Sequence, residues 1–121
     1  MRKGDIYYLD LDNITSGYLQ AGKRPVVIVQ NNKGNEHSPT TIVCPLTTQK
    51  KKPMPTHVFI GREGGLTQNS TVTCEQIFTV NKSELLTYVG TITNPLTLHR
   101  LDIGLLISLG LSEGVYYGKG N

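Results

Sequence analysis

Gly22-Lys23-Arg24-Pro25-Val26-Val27-Ile28-Val29-Gln30 contains a continuous apolar run that is too short for a helix and β-branched throughout. Pro25 lacks an N–H and suits the start of a strand better than its middle. The run therefore reads as a buried central strand, and strands must lie on both sides of it. Upstream, Ile6-Tyr7-Tyr8-Leu9-Asp10-Leu11 is rich in β-formers and supplies one neighbour, with a long loop over 12–23 between the two. Downstream, Asn31-Asn32-Lys33-Gly34-Asn35 is dense in turn residues. A third strand follows at Thr40–Leu46, in which Pro45 predicts a bulge or an edge. His57–Ile60 is a fourth strand, Thr71–Val80 a long fifth, Ser83–Leu86 a helical turn and Tyr88–Ile92 a last strand. The period then changes. Asn94 can cap, Pro95 fits a first helical position and Gly110 fits a stop, with Leu98, Leu101, Leu105 and Leu109 on one face between them. Many short strands closed by a terminal helix imply a mainly β fold, a small antiparallel barrel.

The chain has 121 residues and 37% apolar side chains, which fits one domain over 1–121 with a core over 4–111 and a flexible tail over 112–121. No apolar run reaches the ~18–20 residues of a membrane span, and Met1-Arg2-Lys3-Gly4-Asp5 leads into a strand rather than a signal-peptide core. Cys44 and Cys74 form no disulfide framework, so a reducing cytoplasm is expected. The net charge of +3 says little, but its distribution says more. Between Lys23 and His57 stand six basic residues and one acid, a net of +5, whereas the remainder carries −2. A local basic patch points to a polyanionic partner.

His37, His57, Cys44 and Cys74 lack the tight spacing of a zinc site, and no metal or cofactor is expected. Cys44 reads as a small buried hydrophobe. Gly61-Arg62-Glu63-Gly64-Gly65 lacks the Lys-Ser/Thr of a phosphate cradle and reads as a hairpin turn. Arg24 is more informative. An Arg directly before a buried strand has a rigid base and a guanidinium able to grip phosphate bidentately, with a surface ion pair as the equal alternative. Thr47, Thr48 and Gln49 precede Lys50, Lys51 and Lys52, which makes either a phosphate-contacting loop or a solvated one.

Asp5-Ile6-Tyr7, Gly22–Asn31, Ser38-Pro39-Thr40, Pro55-Thr56-His57-Val58, Cys74-Glu75-Gln76-Ile77 and Ile107–Leu111 occur in that order. Together, across residues 4–111, they resemble the MazF/PemK toxins of bacterial toxin–antitoxin modules. The resemblance implies an SH3-like barrel of the PemK/CcdB type with a C-terminal helix, acting as a cytoplasmic homodimer. It implies an endoribonuclease that cuts single-stranded RNA to 2′,3′-cyclic phosphate and 5′-hydroxyl ends without a metal. It also implies an antitoxin whose C-terminal segment occupies the RNA groove, and no membrane partner. Arg24 and Thr47 match the family's catalytic pair. RNA contacts are expected from Tyr18, Gln20, Asn31, Thr48, Lys50, Lys51, Lys52, Met54 and Gln76. Amides such as Gln20 and Gln76 present both donor and acceptor to base edges, and Tyr18 can stack a base. One departure stands out: many members carry G-x-E-Q where this chain has Gly17-Tyr18-Leu19-Gln20, so Leu19 replaces an acid that Glu75 could substitute. Two other readings remain open, an RNA-binding homologue of weak or no activity, and a gyrase poison of the CcdB type. The C-terminus Val115–Asn121 lacks the Trp-containing end of the gyrase poisons.

Overall fold

A computed structural model describes residues 1–13, 22–50 and 52–112. The described residues form seven strands, β1 (Asp5–Asp10), β2 (Lys23–Ile28), β3 (Thr40–Thr47), β4 (His57–Gly61), β5 (Ser70–Thr73), β6 (Phe78–Asn81) and β7 (Tyr88–Thr91), with helices α1 (Asn32–His37) and α2 (Pro95–Ser108). The strands run in the order β4-β5-β3-β2-β1-β7, all pairs antiparallel, with β6 alongside β3. The β-branched run Val26–Ile28 is central as expected, paired with β1 on one side and β3 on the other.

β3 gives the sheet its curl. Thr40–Val43 pair with β6, whereas Leu46 and Thr47 pair with β5. Pro45 is not at an edge, because it faces Val26 across the ladder with β2. It falls instead where the other neighbour changes from β6 to β5, so its missing N–H interrupts neither ladder on that side. The same change corrects the expected long strand over Thr71–Val80, which is two strands. Val72 faces Leu46 and Phe78 faces Val43, so the chain advances six residues while β3 advances three. The excess loops out over Cys74–Ile77 as a turn closed by Gln76 N–H to the Thr73 carbonyl at 3.1 Å.

Alternation places one apolar cluster on each face of the curled sheet. Ile6, Val27, Cys44, Leu46, Val58, Ile60, Val72, Cys74 and Ile92 join Leu101 of α2 on one face. Leu9, Leu11, Val26, Ile28, Val43 and Val80 form the other cluster. α2 begins where Asn94 accepts the Leu96 N–H at 3.0 Å. It ends at Gly110, whose φ of +74° closes a cap in which Leu111 N–H bonds the Leu106 carbonyl and Gly110 N–H the Ile107 carbonyl. The buried line is Thr97, Leu101 and Gly104, with Leu98 and Leu105 flanking it; Leu109, placed on that face by periodicity, is 61% exposed. Gly104 is in the line because a Cβ there would come within 3.0 Å of Cys74 Sγ and Val58 Cγ2.

The segment read as a turn at Asn31–Asn35 includes most of α1. No apolar periodicity announces this helix; amides build it. Asn31 caps it by accepting the Gly34 N–H at 2.8 Å. The buried Asn35 donates to the Gln30 carbonyl at 2.9 Å and accepts from Thr41 Oγ1 at 2.8 Å.

Candidate active site

Antiparallel pairing brings the start of β2 and the end of β3 to one end of the sheet. Val26 faces Pro45, so Arg24 and Thr47 lie two residues further along the two strands and on the same face. Arg24 is exposed, and its backbone is held in register with Leu9 of β1. Thr47 is buried, with its hydroxyl oxygen accepting the Gln49 N–H at 3.2 Å. Arg24 and Thr48 help line one cavity of about 360 Å³, together with Tyr8, Gln68, Ser70 and Tyr88. Thr47, Thr48, Gln49 and Lys50 line a second of about 490 Å³, floored by His57, Phe59 and Thr71. Thr48 belongs to both, so the cavities adjoin there.

Lys50 lines the second cavity, and Lys52 is exposed and lines neither cavity. Met54 is exposed, and its carbonyl accepts the His57 N–H at 2.9 Å. Gln76 sits in the turn after β5 and lines neither cavity. Asn31 is separated from the group: it caps α1 beyond the far end of β2, roughly 20 Å along the strand from Arg24. Lys33 goes with it on α1, so the basic window of the sequence divides. Lys23, Arg24, Lys50 and Lys52 stay at one end and Lys33 at the other. Tyr18, Leu19, Gln20, Lys51 and the tail residues 113–121 lie outside the described residues.

One cluster at this site escaped the sequence reading. His57 Nε2 stands 3.0 Å from Glu75 Oε2, and Thr56 Oγ1 donates to Glu75 Oε1 at 3.0 Å. A carboxylate only accepts, so Nε2 carries the proton. The partners are 18 residues apart in the chain and meet because His57 faces Thr73 across the β4–β5 ladder. Burial raises the Glu75 carboxyl, but its backbone hydrogen bond and those from His57 and Thr56 outweigh this and hold it below the ordinary value of 4.5. A carboxyl depressed in the folded state adds stability above its unfolded value and loses it as pH falls through the folded one. Acid titration followed by circular dichroism is therefore expected to show stability dropping below about pH 4.5, and Glu75→Gln is expected to shrink that acid limb. An unchanged limb in Glu75→Gln would mean that the cluster carries no such linkage.

Cys44 and Cys74 are both fully buried. The hydrogen bond to Cys74, then burial, push the Cys44 thiol far above its usual range, which makes it an unreactive core residue.

Residues 2–108 match the family model of the PemK-like, MazF-like toxin of type II toxin–antitoxin system. The chain is 37% identical to the endoribonuclease EndoA of Bacillus subtilis over 115 residues, covering 93% of this chain and 97% of that protein. Among solved structures it is similar to an endoribonuclease from a mycobacterial species in complex with its cognate antitoxin, with a TM-score of 0.75 and 32% identity over 92% of this chain and 96% of the other. MazF from Deinococcus radiodurans superposes with a TM-score of 0.73 over 91% of this chain and 96% of the other; at 19% identity that likeness speaks to the fold.

Proposed function

The chain belongs to the PemK-like, MazF-like toxin family of type II toxin–antitoxin systems, and on that premise we propose that it is a sequence-specific endoribonuclease of single-stranded RNA that arrests growth. The observation that carries this reading is the convergence, at one end of the sheet, of Arg24, Thr47 and Thr48 with Lys50 on two adjoining cavities.

The reaction suited to these side chains is transesterification without a metal. The ribose 2′-oxygen forms a bond to the adjacent phosphorus while the bond from phosphorus to the 5′-oxygen breaks. The 2′-proton leaves to a base and the departing 5′-oxygen gains a proton, giving a 2′,3′-cyclic phosphate and a 5′-hydroxyl. Charge builds on the non-bridging phosphate oxygens as the bond forms. Arg24 carries a planar cationic guanidinium that can meet both of those oxygens at once. Thr47, at the same end of the sheet, is a hydroxyl partner for one of those two oxygens. Lys50 and Lys52, with Lys51, Met54, Gln76, Gln20 and Tyr18 as further contacts, hold the flanking strand. Phosphate neutralisation by these lysines supplies affinity, whereas amides and the aromatic ring supply sequence preference. Asn31 acts from its distance only as part of a longer strand path. The working form is a homodimer, restrained by an antitoxin whose C-terminal segment takes the place of RNA, and acting in the cytoplasm where messenger RNA is found. No helix among the described residues is long and apolar enough to cross a membrane.

The test is cleavage of a long single-stranded RNA by the purified protein, with the new 5′ ends mapped and their direct labelling by a kinase used to show free hydroxyls. Replacing the ribose at a mapped cut site by 2′-deoxyribose is expected to abolish that cut, because the nucleophile is gone. Cleavage that persists at the deoxy position would refute the mechanism. Intact RNA together with trapped gyrase–DNA complexes would refute the function.

A further inference from the structure

We infer that Phe59, with Asn69 beside it, forms a nucleobase-stacking subsite next to the scissile position; the inference rests on the RNA-cleavage reading above and adds a determinant of sequence preference. β4 alternates strictly: Val58 and Ile60 point into the core at 4% and 3% exposure, while Phe59 points outward and is 56% exposed. An outward position on a solvated sheet face is ordinarily polar, and an aromatic ring left more than half exposed there offers a stacking surface. The ring also belongs to the active-site cavity that Thr47, Thr48 and Lys50 line. Phe59 faces Thr71 across one ladder, and Thr71 faces Thr47 across the next. Two cross-strand steps on one face put Phe59 about 10 Å from Thr47, close to the reacting phosphate without being at it.

The chemistry around the ring selects a base over an apolar side chain. A Cβ on Gly61 would stand 3.7 Å from Phe59 Cε2 and 3.9 Å from Asn69 Oδ1, so the ring edge and the amide flank the same bare backbone. Gly61 has a φ of +61°, a conformation that glycine adopts without strain and that a side chain would both resist and fill. Asn69 is exposed and makes no side-chain hydrogen bond with the described residues. Its amide is therefore available to read an edge by one donor and one acceptor. Lys50 stands on the same cavity to meet the phosphate of the stacked nucleotide. A flat surface, an edge reader and a cation together fit a nucleotide of single-stranded RNA.

The experiment measures binding to a single-stranded RNA made uncleavable by 2′-O-methylation, so that it stands apart from turnover, and measures cleavage of the unmodified RNA in parallel. Phe59→Leu is expected to weaken binding roughly 5- to 150-fold, the range that loss of one stacked base implies, and Phe59→Tyr to restore it to within about twofold. Moving a single abasic nucleotide along the RNA is expected to find one position where the wild type loses this factor and Phe59→Leu loses nothing more. Asn69→Ala is expected to relax the base preference at that position and at no other. Equal binding by wild type and Phe59→Leu, or a Phe59→Tyr variant as weak as Phe59→Leu, would overturn the subsite and leave the exposed ring to a protein partner. Absence of cleavage by the wild type with the binding pattern intact would overturn the nuclease reading and keep the subsite.

Discussion

Arg24→Ala is expected to lower RNA cleavage by about 10²- to 10³-fold, the loss that follows removal of one preorganised donor from developing oxyanion charge. Arg24 is at the surface, so whatever pair it makes there contributes no more than about 1 kcal/mol to folding, and the thermal midpoint is expected to move little. That combination separates a chemical role from a structural one. Arg24→Lys keeps the charge but loses the planar fork, and is expected to recover only part of the rate. Thr47→Ala removes a single hydroxyl contact to a charged group and is expected to cost roughly 10- to 100-fold. The measurement is kcat/KM on a short RNA containing one mapped site, with melting recorded on the same preparations. Full activity in Arg24→Ala would remove Arg24 from the catalytic site.

The largest expected effect on folding comes from a residue with no chemistry. Gly90 on β7 lies against the turn that follows β4, and a Cβ there would run into the backbone carbonyl of Gly64. Gly65 makes the reciprocal approach, since its own Cβ would lie 2.6 Å from the Val89 carbonyl oxygen. Gly64 and Gly65 also have φ values of +69° and +85°, so the turn has no freedom to retreat by changing residue type. These contacts are backbone against backbone, and they bring the turn after β4 against β7, the two ends of the strand order. Gly90→Ala is therefore expected to destabilise by about 3 kcal/mol, the upper part of the range for overpacking, and to lower the melting temperature by about 10 °C. Gly110→Ala is the control. It also has a positive φ, but nothing lies within 4 Å of its Cβ position, so its cost is limited to about 1 kcal/mol of backbone strain. A Gly90→Ala melting temperature within about 2 °C of wild type would show that the sheet does not depend on this closure.

The residues that pattern alone made legible are those whose reason is local. Val26–Ile28 form a strand because branching and continuity demand it, and Asn94, Pro95 and Gly110 bound α2 because caps and stops act within a few residues. Motif likeness singles out Arg24 and Thr47, and antiparallel pairing puts both at one end of the sheet. The misreadings share another cause. Thr71–Val80 reads as one strand because Thr, Val, Ile and Phe dominate it, yet β3 bends between two partners and the surplus turns out at Cys74–Ile77. Asn31–Asn35 reads as a turn because its amides favour turns, yet those amides bond Gln30 and Thr41 and build a helix. Leu109 keeps the period of its helix but extends past the sheet that would cover it.

By itself the sequence determined the class of this protein: apolar alternation and end signals are short-range, and they specify strands, a terminal helix and a basic segment with Arg24 at its head. Only the tertiary structure decided which of those basic residues stand together, since pairing of β2 with β3 carries Lys33 to one end and leaves Lys23, Arg24 and Lys50 at the other. It also decided that His57 meets Glu75 and that Phe59 faces the cavity of Thr47. These are register effects, and register is fixed by long-range burial of a whole face rather than by any neighbouring residue.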